Sequence, residues 1–479
     1  MNYSDFFKMI PEASLVAVLI VLFVADFATA KAEERRWFNP LASVLLLLNT
    51  FVCLLPMEAQ TAFGGMYVTS SAVNVMKAIL SMGTFIVVLQ SRVWAAKGGK
   101  EGEFYMLIVS TLLGMFAMMS AGNFLMFFLG LEMASVPLAC AVAFDMYRKN
   151  SAEAAAKFIL TATFSSGVMI YGISFLYGEF GTLYFADVAA KMQATPLTIM
   201  GLVFFFSGLG FKISLVPFHF WTADTYQGAP TTVTGYLSVI SKGAAAFTLL
   251  SILFHVFGGI MVYWHVLLMI VVVLSITIAN LFAVRQGELK RFMAFSSISQ
   301  AGYIMLAAIG NDWENSVTAL SYYVLIYVVA NMAVFTIISV VEQNNGSKTN
   351  ISDYNGFYRT NPRLSFLMTL AMFSLGGIPP FAGMFSKFFV FMSGVNGADI
   401  NTTMGAWAYA VVFIALVNTV VSLYYYLKIV KAMYIVRTDN PLPAFRSDCN
   451  TKFALAVCMA GILLFGVCSF VYEWIATAA

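Results

Sequence analysis

Apolar stretches of about 20 residues recur from Pro11 almost to the C-terminus, and this pattern leaves the chain few ways to fold. Coiled as an α-helix, such a stretch spans a hydrocarbon core about 30 Å thick. Of the 479 residues, 61% are hydrophobic and 10% charged, against about 25% charged in soluble domains. The chain is therefore read as an all-α polytopic membrane protein of about fourteen transmembrane helices. The expected spans are 11–30, 37–56, 69–90, 104–120, 123–144, 153–177, 197–217, 231–254, 260–284, 291–310, 315–341, 363–395 (interrupted), 404–436 and 452–474.

Basic residues test that count, because cytoplasmic loops collect Lys and Arg. Loops on one side hold Lys31, Arg35 and Arg36; Arg92, Lys97 and Lys100; Arg148 and Lys149; and Arg285, Lys290 and Arg291. The same parity continues with Lys348, Arg359 and Arg363, then Lys428, Lys431, Arg437, Arg446 and Lys452. Opposite loops hold only Lys8 and Lys191. A miscount of one helix would destroy this segregation. Both termini are thus expected outside. The first helix should be retained, since Asp5, Lys8 and Glu12 precede it in place of a basic leader.

Five further lysines, Lys77, Lys157, Lys212, Lys242 and Lys387, lie inside apolar runs. A lysine at mid-membrane costs roughly 2.5–3.5 kcal/mol even on lenient scales, and such residues usually face water or an opposite charge. Glu132 is the one acid read as lying near the middle of a helix, so the interior carries an expected formal excess of +4. Burial favours neutral lysine and a nearby carboxylate favours the charged form, so each lysine's proton can respond to its neighbours. That is the behaviour of a proton relay. Lys157 and Lys77 also have blander readings, as side chains that snorkel to the interface, Lys77 near the outer face.

Lys212 stands five residues before Pro217, and Gly376-Gly377-Ile378-Pro379-Pro380 precedes Lys387 within a run too long for one plain span. Proline removes a backbone donor and breaks the helical ladder. Each half of the chain thus has a broken helix with a lysine beside it, which suggests an inverted-repeat transporter.

The segments Phe211-Lys212-Ile213-Ser214-Leu215-Val216-Pro217-Phe218-His219-Phe220-Trp221, Gly228-Ala229-Pro230-Thr231-Thr232-Val233-Thr234 and Ser241-Lys242 closely resemble the subunit N family of proton-translocating NADH-quinone oxidoreductase, complex I. Gly130-Leu131-Glu132, Arg291-Phe292-Met293-Ala294-Phe295-Ser296-Ser297-Ile298 and Gly377-Ile378-Pro379-Pro380-Phe381-Ala382-Gly383 through Lys387 agree with it. The resemblance covers nearly the whole chain. It implies two inverted five-helix repeats, helices 4–8 and 9–13, and a division into 1–103 (three helices), 104–258 (first repeat), 259–438 (second repeat) and 439–479 (helix 14). It implies that Glu132 and Lys212 form a charged pair, that Lys157 lies near the pair and modulates it, that Lys242 connects toward the centre, and that Lys387 is the terminal relay to the outside. His219, at the mouth of the first break, is read equally as a relay member or a hydrogen-bonded structural histidine. Ala223, Gln227 and Gln300 depart from the family pattern, which places proline, glutamate and often histidine there. A proton-carrying role for that loop, or for position 300, is accordingly in doubt.

The implied partners are the other membrane-arm subunits, including other antiporter-like ones, in a bacterial cytoplasmic membrane. NADH, FMN, iron–sulfur clusters and quinone are expected in those partners, with no cofactor or metal in this chain and quinone met only indirectly. The alternative is a subunit of a multi-subunit sodium/proton antiporter, against which Ser241-Lys242 and the missing long C-terminal extension weigh. A carrier of organic solutes lacks the arginine or acid set to hold its cargo. Cys53, Cys140, Cys449, Cys458 and Cys468 show no C-x-x-C spacing and read as small packing residues. His255 and His265 read as solvated. The net charge of +3 mostly reflects one set of loops, with no nucleic-acid footprint.

Overall fold

The structure, a computed structural model, describes residues 3–29, 35–145, 148–345, 349–468 and 470–479. Lys31 and Lys348 lie outside the described residues. Fourteen helical runs follow the expected order: Ile10–Ala28, Phe38–Cys53, Ser71–Gly98, Glu101–Met119, Phe124–Val142, Lys149–Phe180, Pro196–Ile213 with Phe220–Gly228, and Thr231–His255. Then come Met261–Arg285, Leu289–Leu306, Trp313–Asn344, Pro362–Gly376 with Ala382–Val395, Thr403–Tyr434, and Cys449–Val467 with Phe470–Ala478. They are called helices 1 to 14 below. Twelve of the described helices are long and apolar enough to cross a bilayer whole. Helix 2 is shorter, and helix 12 is divided by its break.

Polar caps punctuate the apolar runs. Ser70, Asn123, Thr195, Asp312 and Thr402 each accept a hydrogen bond from a backbone N–H in the first turn of helices 3, 5, 7, 11 and 13, satisfying donors that the helix cannot. Over their 18-residue apolar stretches helices 10 and 11 are fully buried and helices 3 and 8 nearly so, whereas helices 1, 6 and 13 bury about a third or less. The centre of the bundle is therefore built from helices 3, 8, 10 and 11. The peripheral ones turn Phe164, Leu160, Phe413 and Val420 outward, as a lipid-facing surface should.

Up-and-down order places both ends of the chain on one face, called here the terminal face. The cation-rich loops lie on the other, the basic face. A two-stranded hairpin on the terminal face, Gln60–Ala62 against Tyr67–Thr69, is antiparallel with Gln60 opposite Thr69. It sits in a segment read from sequence only as a loop.

Helix 7 stops at Ser214, which takes a left-handed conformation (φ 68°), and resumes at Phe220. Helix 12 stops at Gly377 (φ 82°) and resumes at Ala382. Each break contains a cis proline, Pro217 and Pro380. Freed backbone groups find partners nearby: Val216 N–H donates to Ser275 Oγ (2.9 Å), Trp221 Nε1 to Phe211 O (3.1 Å), and Gly383 N–H to Ser374 Oγ (3.3 Å). A Cβ at Gly383 would lie 1.7 Å from the Ser374 carbonyl oxygen. Gly383→Ala is expected to cost at least about 1–3 kcal/mol by overpacking, seen as a lowered thermal midpoint of the solubilised protein.

Candidate functional site

Lys212 ends helix 7 within the last turn before the break. Its ammonium is buried, donates to Ser135 Oγ at 2.8 Å and stands 6.0 Å from the Phe158 ring centroid. Ser135 lies one turn beyond Glu132 on helix 5. Glu132 is near enough to act on Lys212 electrostatically, yet no hydrogen bond or ion pair joins them; the hydroxyl of Ser135 takes the ammonium instead. Glu132 is only half-buried, on a face with exposed Leu129, Met133 and Val136. His219 is buried at the start of the resumed helix and stacks on Phe220 (4.6 Å between centroids).

Lys242 follows a π-helical turn, Leu237–Ser241, inside helix 8. Such turns shift the register of everything after them and occur often at functional sites. Its ammonium donates to Ser297 Oγ (2.8 Å) on helix 10 and lies 5.4 Å from the Tyr226 ring. Ser297 is shared: Tyr226 Oη is 3.3 Å away, and the nearby Tyr327 hydroxyl is buried without a hydrogen-bond partner among the described residues. Tyr327 also lines a small cavity of about 10 Å³ with Gln300, Tyr323, Ser386 and Lys387, roughly the room that one water needs.

Lys387 closes the series from the far side of the second break. Its ammonium reaches back across the gap to the Gly376 carbonyl (3.3 Å), at the C-terminal end of the first half-helix, and stands 5.1 Å from the Tyr303 ring. A cation there complements the exposed carbonyls of the helix end. Gln300 occupies the middle: its Nε2 donates to Tyr426 Oη (3.0 Å) and Leu375 O (3.3 Å), and its Oε1 accepts from Tyr323. Ser296 bonds Tyr426 at 2.6 Å. Tyrosine, serine and glutamine thus bridge the space between two buried lysines, and apart from Gln300 none of them was singled out from the sequence. Tyr323 and Tyr327, one turn apart on helix 11, were the available signal.

Residues 121–415 match the family described as NADH:quinone oxidoreductase/Mrp antiporter, TM. A chain of Phocaeicola vulgatus named NADH-quinone oxidoreductase subunit N is 54% identical, with 100% of both chains covered. One of the same name from Azobacteroides pseudotrichonymphae is 47% identical over 100% of this chain and 98% of its own. The chain belongs to the subunit N family of NADH-quinone oxidoreductase. It is an antiporter-like membrane-arm subunit of that translocase. Among solved structures, a chain of respiratory complex I from Thermus thermophilus with bound aureothin superposes with a TM-score of 0.80 at 29% identity, covering 98% of this chain and 100% of its own. A chain of the Mrp complex from Dietzia sp. DQ12-45-1b superposes with a TM-score of 0.83 at 19% identity, covering 98% and 96%. That second likeness is one of fold.

Two of the five embedded lysines of this subunit N family member have acid partners that the sequence reading did not assign to them. Lys157 reaches the basic-face end of helix 6, its side chain 45% exposed, and pairs with Glu153 and Asp224, both at 2.8 Å. Arg291 holds the other oxygen of Asp224 at 2.7 Å and the Gln227 side chain at 3.0 Å. Lys157, Asp224 and Gln227 line a cavity of about 170 Å³ at this end. The doubt about this loop rested on Ala223 and Gln227; the intervening Asp224 was overlooked and is its charged centre.

Lys77 corrects the sequence reading most. It is no interfacial anchor: its side chain is 0% exposed and bonds Glu12, 5% exposed, at 2.6 Å. Glu132 is therefore not the one deep acid, and the expected excess of +4 does not stand. Glu12 and Asp224 offset two lysines; among the described residues Glu132 acts on Lys212, while Lys242 and Lys387 contact no carboxylate. Glu342 is a further acid within the bundle, held by Arg148 (2.7 Å) and Thr231. Lys290, expected in a solvated loop, is buried against the Ala229 carbonyl (2.7 Å). His265 is likewise buried, while His255 is exposed. Cys53 and Cys458 are buried packing residues, but Cys140 and Cys449 are exposed. Among the described residues no three His, Cys, Asp or Glu side chains group as metal ligands.

Proposed function

We propose that this chain carries protons from the basic face to the terminal face, through Lys212, Lys242 and Lys387, as electrons pass from NADH to quinone in other subunits. The single observation behind this reading is that these three ammoniums are buried without a carboxylate contact among the described residues and lie against one polar seam of hydroxyl, amide and carbonyl groups. A charge change near Glu132 and Lys212 alters the proton affinity of Lys242 and then of Lys387. The cavity beside Lys157 and Asp224 serves as the opening on the basic face, with Lys157 tuning the first step. The seam has two half-channels, in the repeats 104–258 and 259–438, flanked by 1–103 and 439–479.

The loop cations make the basic face the cytoplasmic one and leave both termini outside a bacterial inner membrane. A half-exposed Glu132 on an apolar face is expensive in lipid, and we take that face as the contact with a neighbouring membrane-arm subunit. FMN, iron–sulfur clusters and quinone belong to those partners.

In membrane vesicles, Lys212→Ala is expected to slow proton pumping coupled to NADH oxidation by about a hundredfold, the scale of losing a positioned proton carrier. Glu132→Ala should weaken it less, since it acts across Ser135. Unchanged pumping by a fully assembled Lys212→Ala enzyme would end the relay reading.

A further inference from the structure

The Lys77–Glu12 pair lies in helices 1 and 3, outside the lysine seam, and its surroundings are built for more than bracing. Both oxygens of Glu12 accept from rotatable hydroxyls, Tyr67 Oη at 2.9 Å and Ser120 Oγ at 3.3 Å, and Lys77 also stands 3.4 Å from Tyr67 Oη. Tyr67 comes from the terminal-face hairpin, so the hydroxyl nearest the pair is delivered from the water side. Its neighbour Thr69 donates to Asn74 Oδ1 (3.2 Å), and Asn74 Nδ2 is buried with no partner. The residues flanking this cluster, Val68, Ser70, Met119, Ala121 and Gly122, wall a cleft of about 840 Å³ on the terminal face. Tyr67 and Ser120, which hold Glu12, are thus each sequence neighbours of residues that wall this cleft.

Toward the basic face the polar groups thin out. Ser81 and Thr84 continue the stripe of Asn74 and Lys77 along helix 3, but the buried apolar run 85–89 follows before Gln90 and Ser91. Along helix 3 the pair is therefore joined by polar groups more closely to the terminal face. A purely structural role explains little, because an apolar pair of similar volume would pack as well or better than two desolvated charges.

We propose that Lys77 and Glu12 form a second proton-exchange site, open to the terminal face through the Tyr67 hydroxyl. Helices 1 to 3 then exchange protons with the terminal face and change the charge beside the seam. In this step a proton from the cleft adds to the Glu12 carboxylate by way of Tyr67 Oη, giving a carboxylic acid beside the Lys77 ammonium, and leaves by the same path. The net charge of the site alternates between zero and +1. Helix 3 also packs on the helix that carries Lys242: the side chains of Met76 and Leu80 lie against Gly243, next to Lys242.

This inference rests on the relay reading, so Lys212→Ala serves as a parallel control. The test uses the assembled complex in vesicles, measuring protons moved per NADH oxidised. Tyr67→Phe keeps the ion pair and removes the hydroxyl link; Glu12→Gln with Lys77→Met removes both charges together. At least about a tenfold loss of pumping is expected in each, within the range for a lost proton carrier. Wild-type pumping in either assembled variant overturns the proposal, and where the double variant fails to assemble, Tyr67→Phe decides alone. If Lys212→Ala pumps normally the relay itself fails; if it does not pump while Tyr67→Phe does, only this inference fails.

Discussion

Lys387→Met is expected to leave the complex assembled while proton translocation falls by about a hundredfold or more, the scale of losing a positioned proton carrier. The ammonium has no carboxylate partner among the described residues, so removing it strands no opposite charge. What is lost is one charge-assisted hydrogen bond to the Gly376 carbonyl, about 1.5–3 kcal/mol. What is gained is relief from burying the cation, roughly 2.5–3.5 kcal/mol at mid-membrane. The two nearly cancel. Met keeps the length needed to fill the space between Tyr303 and Gly377, where the lysine stem already lies within 3.2 Å of a Cβ position. Lys387→Arg is the stricter variant, because guanidinium keeps the charge but does not release its proton at any working pH. It should be as inactive as Met. Native gels report assembly, and acidification of inverted vesicles during NADH oxidation reports pumping; a translocating Lys387→Arg complex would show that fixed charge suffices.

The second large effect is on stability and has the opposite logic. Lys77→Met alone leaves the Glu12 carboxylate desolvated with only hydroxyl partners. Breaking one side of a buried pair typically costs about 3–5 kcal/mol, whereas replacing both sides is near neutral. Lys77→Met should therefore sharply lower the yield and thermal midpoint of the solubilised complex, and adding Glu12→Gln should restore most of the loss. A double variant no better than the single one would mean that the two charges are not coupled in the fold. Lys387 and Lys77 are both fully enclosed lysines, yet they predict opposite phenotypes, because one faces a carbonyl dipole and the other a full charge.

Much of the candidate site was already legible in the chain. Lys212, Lys242 and Lys387 stand out because an ammonium within an apolar run is costly, and the nearby prolines mark where a helix must open. All three are buried at those places. Asp224 carried no signal and Glu12 read only as part of the stretch leading into the first helix, because both lie close to helix ends, where an acid is ordinarily solvated. Only the neighbouring helices make them partners of Lys157 and Lys77. Gln300 was read as a missing histidine, whereas its amide gathers Tyr323, Tyr426 and the Leu375 carbonyl from three other helices. No spacing within one segment encodes such a convergence.

What the sequence alone determined is the number of crossings, the two breaks and the presence of lysines within apolar runs. Each follows from short-range physics: apolar length against bilayer thickness, the missing N–H of proline, and the cost of a charge in hydrocarbon. Which lysine faces an acid, a hydroxyl or a carbonyl was decided only when the helices packed. Partner choice depends on groups tens to hundreds of residues apart meeting at hydrogen-bond distance, as when Glu12 meets Lys77 and Tyr67, or Lys242 meets Ser297.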